Sequence, residues 1–232
     1  MKSKFWQSAL CAAGLAAAMA APALAAVVTF ENPAPGSVYS PAESYVEGGF
    51  TFTVNAGIGV IDTSAAFGPG TGLDLAGPNG NASQFFIGLN DASLNMRATD
   101  YSVFRLAGFD FGFVSALTNL FFPGDVPGQM VAAYETGGGA VGALAWDFGP
   151  ADGNGEFSFQ SLRLADMGVL ASGVRQIEFF ACTFDALGAC SNLNANFSQF
   201  ALDNLNVPEP GSLALVVLAL GIVGGLRSRR FN

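Results

Sequence analysis

The chain has no histidine. That removes Ser-His-Asp and Cys-His catalysis, histidine-based zinc and iron sites and histidine pH switches together. Lysine occurs only at Lys2 and Lys4, and charged residues are 12% of the 232 positions. Between residues 26 and 210 four arginines (Arg97, Arg105, Arg163 and Arg175) face all 18 acidic residues, a balance of −14. A field of that sign repels phosphate backbones, so no nucleic acid is expected as a partner. Tryptophan is limited to Trp6 and Trp146, and cysteine to Cys11, Cys182 and Cys190. No nucleophile elbow, phosphate-binding glycine loop or dinucleotide fingerprint is present.

What the chain does have begins at its ends. Lys2 and Lys4 precede an apolar run over 9–21, and Ala23-Leu24-Ala25 puts small residues where a signal peptidase reads. Residues 1–25 therefore read as a secretory signal peptide, with cleavage between Ala25 and Ala26. Cys11 lies within the apolar run, and the bulky Leu10 before it does not fit a lipoprotein signal. Export makes the two remaining cysteines, Cys182 and Cys190, an expected disulfide that closes a short loop.

At the other end, Pro208-Glu209-Pro210 precedes an uncharged apolar run over 211–226, and Arg227, Arg229 and Arg230 close the chain. Prolines on both sides of Glu209 hold it extended. An apolar helix satisfies its own backbone in a bilayer, and arginines stay on the cytoplasmic side. One transmembrane helix over about 211–226 is expected, at the short end of ordinary spans.

The body, 26–207, is rich in glycine and phenylalanine arranged at period 2. Phe50, Phe52 and Val54 share one parity, as do Phe109, Phe111 and Phe113; Leu144, Trp146 and Phe148; Phe157 and Phe159; and Ile177 and Phe179. Such alternation marks strands with one buried face. Turn residues separate the runs, as at Asn79-Gly80, Gly137-Gly138-Gly139 and Asp152-Gly153-Asn154-Gly155. Only 92–99 and 166–171 invite a helical turn or two. The expected fold is all-β, an antiparallel β-sandwich of jelly-roll type. Near the end, Phe200 and Leu202 share one parity while Leu205 and Val207 share the other. One regular strand cannot bury both sets, so a bulge is expected at Asp203-Asn204.

The tail from Pro208 resembles the PEP-CTERM protein-sorting signal of Gram-negative bacteria, which exosortase recognises. The tripeptide, short apolar run, basic end and C-terminal position carry the likeness together. It implies export, passage through or anchoring in the inner membrane, and sorting to the cell surface or exopolysaccharide matrix, with an exosortase-type enzyme as partner. More loosely, the run 200–205, Phe109-Asp110-Phe111-Gly112 and the glycine hairpin at 137–139 resemble lectin-like jelly-roll domains found in many PEP-CTERM proteins.

Three functional readings follow. The first is a non-enzymatic surface or matrix protein, without cofactor, in contact with polysaccharide. The second is a carbohydrate-binding lectin-like protein with calcium. Its ligands would come from Asp152, Asn154 and Glu156, oxygen side chains at alternate positions as an EF-hand loop begins, with Asp147 a few residues earlier. Asp74, Asn79 and Asn81 form another candidate, and Tyr101, Tyr134 and Trp146 are available for stacking, although Trp146 lies on a core parity. The third is a glycosidase-like enzyme, which would need two carboxylates across a cleft.

Overall fold

The computed structural model describes residues 25–68, 70–71, 73, 75–115, 122, 124–190 and 197–208. The apolar run over 211–226, Glu209, Pro210, the terminal arginines and the signal peptide up to residue 24 lie outside the described residues, as does Asp74. Among the described residues no helix is long and apolar enough to cross a membrane.

Among the described residues eleven strands make one curled antiparallel sheet: β1 (Ala25–Val28), β2 (Ser37–Tyr39), β3 (Ser44–Glu47), β4 (Phe50–Asp62), β5 (Phe85–Ala98), β6 (Gly108–Phe113), β7 (Gly128–Thr136), β8 (Val141–Asp147), β9 (Gln160–Leu162), β10 (Val174–Thr183) and β11 (Phe200–Pro208). The order is β8-β7-β10-β5-β11-β6-β9, with β4 also on β5, β2 and β3 on β4, and β1 on β11.

The curl is built into β5. One edge pairs with β4 from Phe85 to Ala98. The other edge pairs with β11 over Phe86–Gly88 and with β10 over Ser93–Arg97. The change of partner falls at Asn90 and Asp91, whose φ values are +56° and +55°. Opposite them, Gly57 sits at φ +64°, and a Cβ there would lie 2.4 Å from Leu89 O. Only glycine fits so close an approach in the left-handed region. Of residues 92–99, a candidate for helical turns, 92–98 are strand instead, because hydrogen bonding to β4 and β10 on both edges overrides their mixed propensity. The 166–171 stretch does hold 3-10 turns, over Leu164–Asp166 and Gly168–Ala171.

The kink brings the two ends of the sheet face to face. Phe109 of β6 has its ring 5.4 Å from both Trp146 of β8 and Phe179 of β10. The main core between them holds Phe52, Val54, Phe86, Leu94, Phe111, Phe113, Ile177, Phe200 and Leu202, with Leu144 and Trp146 packed against it. The period-2 assignments therefore hold for β4, β6, β8 and β10. The pair Phe157 and Phe159 is different: Phe157 joins the main core and Phe159 a second cluster. Parity fails there because 157–159 precede β9 and are not regular strand.

The second cluster lies on the opposite face of β5 and β11. It contains Val60, Phe85, Ile87 and Ala201, with Phe67, Leu73, Leu75 and Phe159 packed against them. Two buried faces explain why Phe85-Phe86-Ile87 runs without alternation.

The bulge in β11 is present. Register with β6 shifts between Asp203 and Asn206, and Asn204 takes φ +51°. Phe200, Leu202, Leu205 and Val207 thereby all enter the main core. Cys182 and Cys190 are disulfide-bonded, with Cα atoms 5.4 Å apart, inside the usual range.

Candidate functional site: a pocket under Asn79 and Glu156

The long connection from β4 to β5 covers the second cluster and leaves a cavity of about 310 Å³ on its outer side. Ser64, Phe67, Gly68, the 75–79 segment and Glu156 line it. The volume is at the low end of the roughly 300–1,000 Å³ typical of small-molecule sites.

Backbone pairing sets its polar end. Asn79 N–H donates to Phe157 O at 2.8 Å, and Phe159 N–H donates to Asn79 O at 2.8 Å. Asn79 Nδ2 then donates to Glu156 Oε2 at 2.9 Å. Residues 77 positions apart thus form one carboxamide–carboxylate pair. The wall opposite is apolar. Phe67 lies parallel to Phe85, with centroids 6.0 Å apart, and Gly77 backs onto the Phe67 ring so closely that a Cβ would sit 2.4 Å from it.

The calcium candidates divide. Glu156 and Asn79, drawn from two separate clusters, meet here. Asp152 caps its own turn: Oδ1 accepts Asn154 N–H at 2.8 Å and Glu156 N–H at 2.9 Å. Asp147 lies on β8, where Oδ1 accepts from Gln129 Nε2 at 2.8 Å. Among the described residues no group of three or more cysteine and acidic side chains is placed to hold a metal ion. The aromatic candidates are elsewhere. Trp146 packs against Phe109, Tyr134 covers Gly142, and exposed Tyr101 has the Arg97 guanidinium 4.6 Å from its ring centroid.

Asn81 belongs to a polar cluster that the sequence did not reveal. Asp203 of β11 is fully buried and lies opposite Asp110 of β6. Its Oδ2 accepts from Asn81 Nδ2 at 2.6 Å and Ser83 Oγ at 3.0 Å, and its Oδ1 from Asn204 N–H at 2.7 Å. Asn204 Nδ2 donates to Asp110 Oδ2 at 2.7 Å. Burial pushes the Asp203 carboxyl up to about 6, against the pull of these hydrogen bonds and with added repulsion from Asp110. The available signal was two aspartates set within strongly apolar strands, Asp110 between Phe109 and Phe111 and Asp203 after Leu202.

A second buried carboxylate, Glu47 of β3, accepts the Thr29 N–H at 3.3 Å. Burial raises its carboxyl, opposed by the N–H groups of Thr29, Glu31 and Phe30. Phe30, at φ +58°, lies in the left-handed region within this run of donors.

At the end of β11 the chain runs directly into its tail. Residues 206–230 match the PEP-CTERM protein-sorting motif. The tail is a PEP-CTERM sorting signal. The first three residues of the PEP-CTERM match, Asn206, Val207 and Pro208, are also the last three of β11. The PEP-CTERM motif marks the chain for export and sorting to the cell surface by way of the membrane. The body is similar in fold to a DUF4465 family protein from Bacteroides caccae, at 12% identity, with a TM-score of 0.50 and coverage of 80% of this chain and 99% of that one. A lower likeness, TM-score 0.27 at 13% identity, is to the enzymatically active domain of tailspike protein 4 of bacteriophage CBA120, over 77% of this chain and 20% of that one. No curated protein matches the sequence.

Proposed function

We propose that the chain is a non-enzymatic component of the cell surface or exopolysaccharide matrix, processed by an exosortase-type enzyme and held briefly in the inner membrane by the 211–226 run. Its body, read as a jelly-roll type sandwich, is the part displayed and makes contact with polysaccharide. The observation that carries this reading is the sorting motif itself, which continues from the last strand without a linker. The non-enzymatic part rests on chemistry. The chain has no histidine, nucleophile elbow, phosphate-binding glycine loop or dinucleotide fingerprint.

The test is mass spectrometry of the protein recovered from the surface fraction of producing cells. The expected form begins at Ala26 and ends near Pro208-Glu209-Pro210. A surface form intact to Asn232 would overturn the processing claim. The lectin-like reading with calcium predicts binding that EDTA abolishes; binding unchanged by EDTA removes the metal from it.

A further inference from the structure

We infer that the pocket under Asn79 and Glu156 is a subsite for one neutral sugar ring. The inference rests on the reading of the body as a polysaccharide-contacting module and assigns the contact to a place. Three observations lead to it.

The first is the set of polar atoms. Asn79 and Glu156 are joined by a single hydrogen bond between Nδ2 and Oε2. A carboxamide retains a second N–H and its oxygen for a ligand, and a carboxylate retains its other oxygen. Ser64, a hydroxyl-bearing residue, also lines the cavity. Donors and acceptors of this kind, side by side, match adjacent hydroxyl groups, each of which donates one hydrogen bond and accepts others.

The second is charge. Glu156 is the one charged side chain among the described lining residues, and the body around it carries −14. With no cation among the described lining residues, a ligand carboxylate or phosphate would be repelled. The ligand is therefore not an acidic sugar, and a neutral ring is the form the hydroxyl-matching groups suit.

The third is shape. Leu75, Pro78 and Phe67 supply apolar wall, as the C–H surface of a sugar ring requires. The close approach of Gly77 to Phe67 fixes that wall, and the two backbone hydrogen bonds of Asn79 fix the polar end. A pre-formed site loses little ordering entropy on binding. At about 310 Å³, it admits one ring with its water and not an extended chain.

The experiment is saturation-transfer NMR on the full chain in detergent, with D-glucose, D-galactose, D-mannose, L-rhamnose and D-galacturonate as probes. At least one neutral sugar should receive saturation, with galacturonate at least about tenfold weaker. Asn79→Ala and Ser64→Ala should each weaken that sugar about tenfold, the scale of one or two lost hydrogen bonds, with unchanged thermal melting as the check on folding. Tyr101→Ala, outside the pocket, should leave binding as it was. No transfer to any neutral sugar would overturn the inference, as would galacturonate binding equally well or Asn79→Ala and Ser64→Ala both leaving affinity unchanged. Failure here with a processed surface form would leave the sorting claim intact; an intact tail with sugar binding would do the reverse.

Discussion

Asn81 donates a 2.6 Å hydrogen bond to Asp203 across 122 residues of chain. It ties the covering loop to the last strand through a carboxylate that no described cation accompanies. The buried carboxyl makes the body's stability depend on pH in a direction opposite to that of a salt-bridged aspartate. Its folded value, about 6, lies above its ordinary 3.8. The folded state then binds the proton more tightly. The resulting stabilisation is complete below about pH 4, falls as pH rises towards 6, and is gone above that, a change on the order of 3 kcal/mol. Glu47, also raised by burial, adds a slope of the same sign. The urea midpoint of the wild type should therefore fall more steeply between pH 4 and 7 than that of Asp203→Asn. Identical slopes in the two proteins would show that Asp203 does not titrate there.

The bulge in β11 makes Asn204 sensitive to shape as well as chemistry. At φ +51° a β-branched residue pays about 1–2 kcal/mol of backbone strain, and the Asp110 hydrogen bond adds about 1 kcal/mol. Asn204→Ile should cost about 2–3 kcal/mol by chemical denaturation. Asn204→Gly, which relieves the strain but loses the hydrogen bond, should cost about 1 kcal/mol. Equal losses would argue against a left-handed residue at this position.

Gly57 and Gly49 offer an internal comparison. Both have positive φ, but a Cβ on Gly57 meets Leu89 O at 2.4 Å and Ala92 Cα at 2.5 Å, whereas Gly49 has open space. Gly57→Ala should cost more than about 3 kcal/mol, and Gly49→Ala about 1 kcal/mol. Thermal melting of the two variants gives the order directly, and the reverse order would contradict the kink in β4 and β5.

The Cys182–Cys190 bond closes a short loop at the end of β10. In the chain-entropy account a loop of this length contributes about 2–3 kcal/mol. Reduction should lower the melting midpoint, and Cys182→Ser with Cys190→Ser should abolish the response to reductant. A wild-type midpoint indifferent to reductant would mean that the bond does not form in the purified protein.

Period-2 apolar residues in β4, β6 and β10 were legible as one buried face because alternation follows from strand geometry alone. The bulge was legible for the same reason: two apolar parities in one strand need an extra residue between them. By contrast, β5 concealed itself, since burial on both faces removes the alternation and its Asn90-Asp91 kink resembles a break. The candidate site was half legible. Asn79 and Glu156 were singled out as polar loop residues, but in separate clusters and for a metal. Backbone hydrogen bonds of Asn79 with Phe157 and Phe159 bring the two side chains together, and no local pattern records a contact 77 residues apart.

By itself, the sequence determined the chemistry that is absent, the all-β class and the address at the chain's end. Composition, local periodicity and a contiguous motif need no folding to be read. Tertiary structure alone decided which polar groups meet: Asp110 with Asp203, Asn81 with Asp203, and Asn79 with Glu156. Those pairings depend on strand order and on the curl at β5, which arise when distant segments compete to bury the same apolar faces.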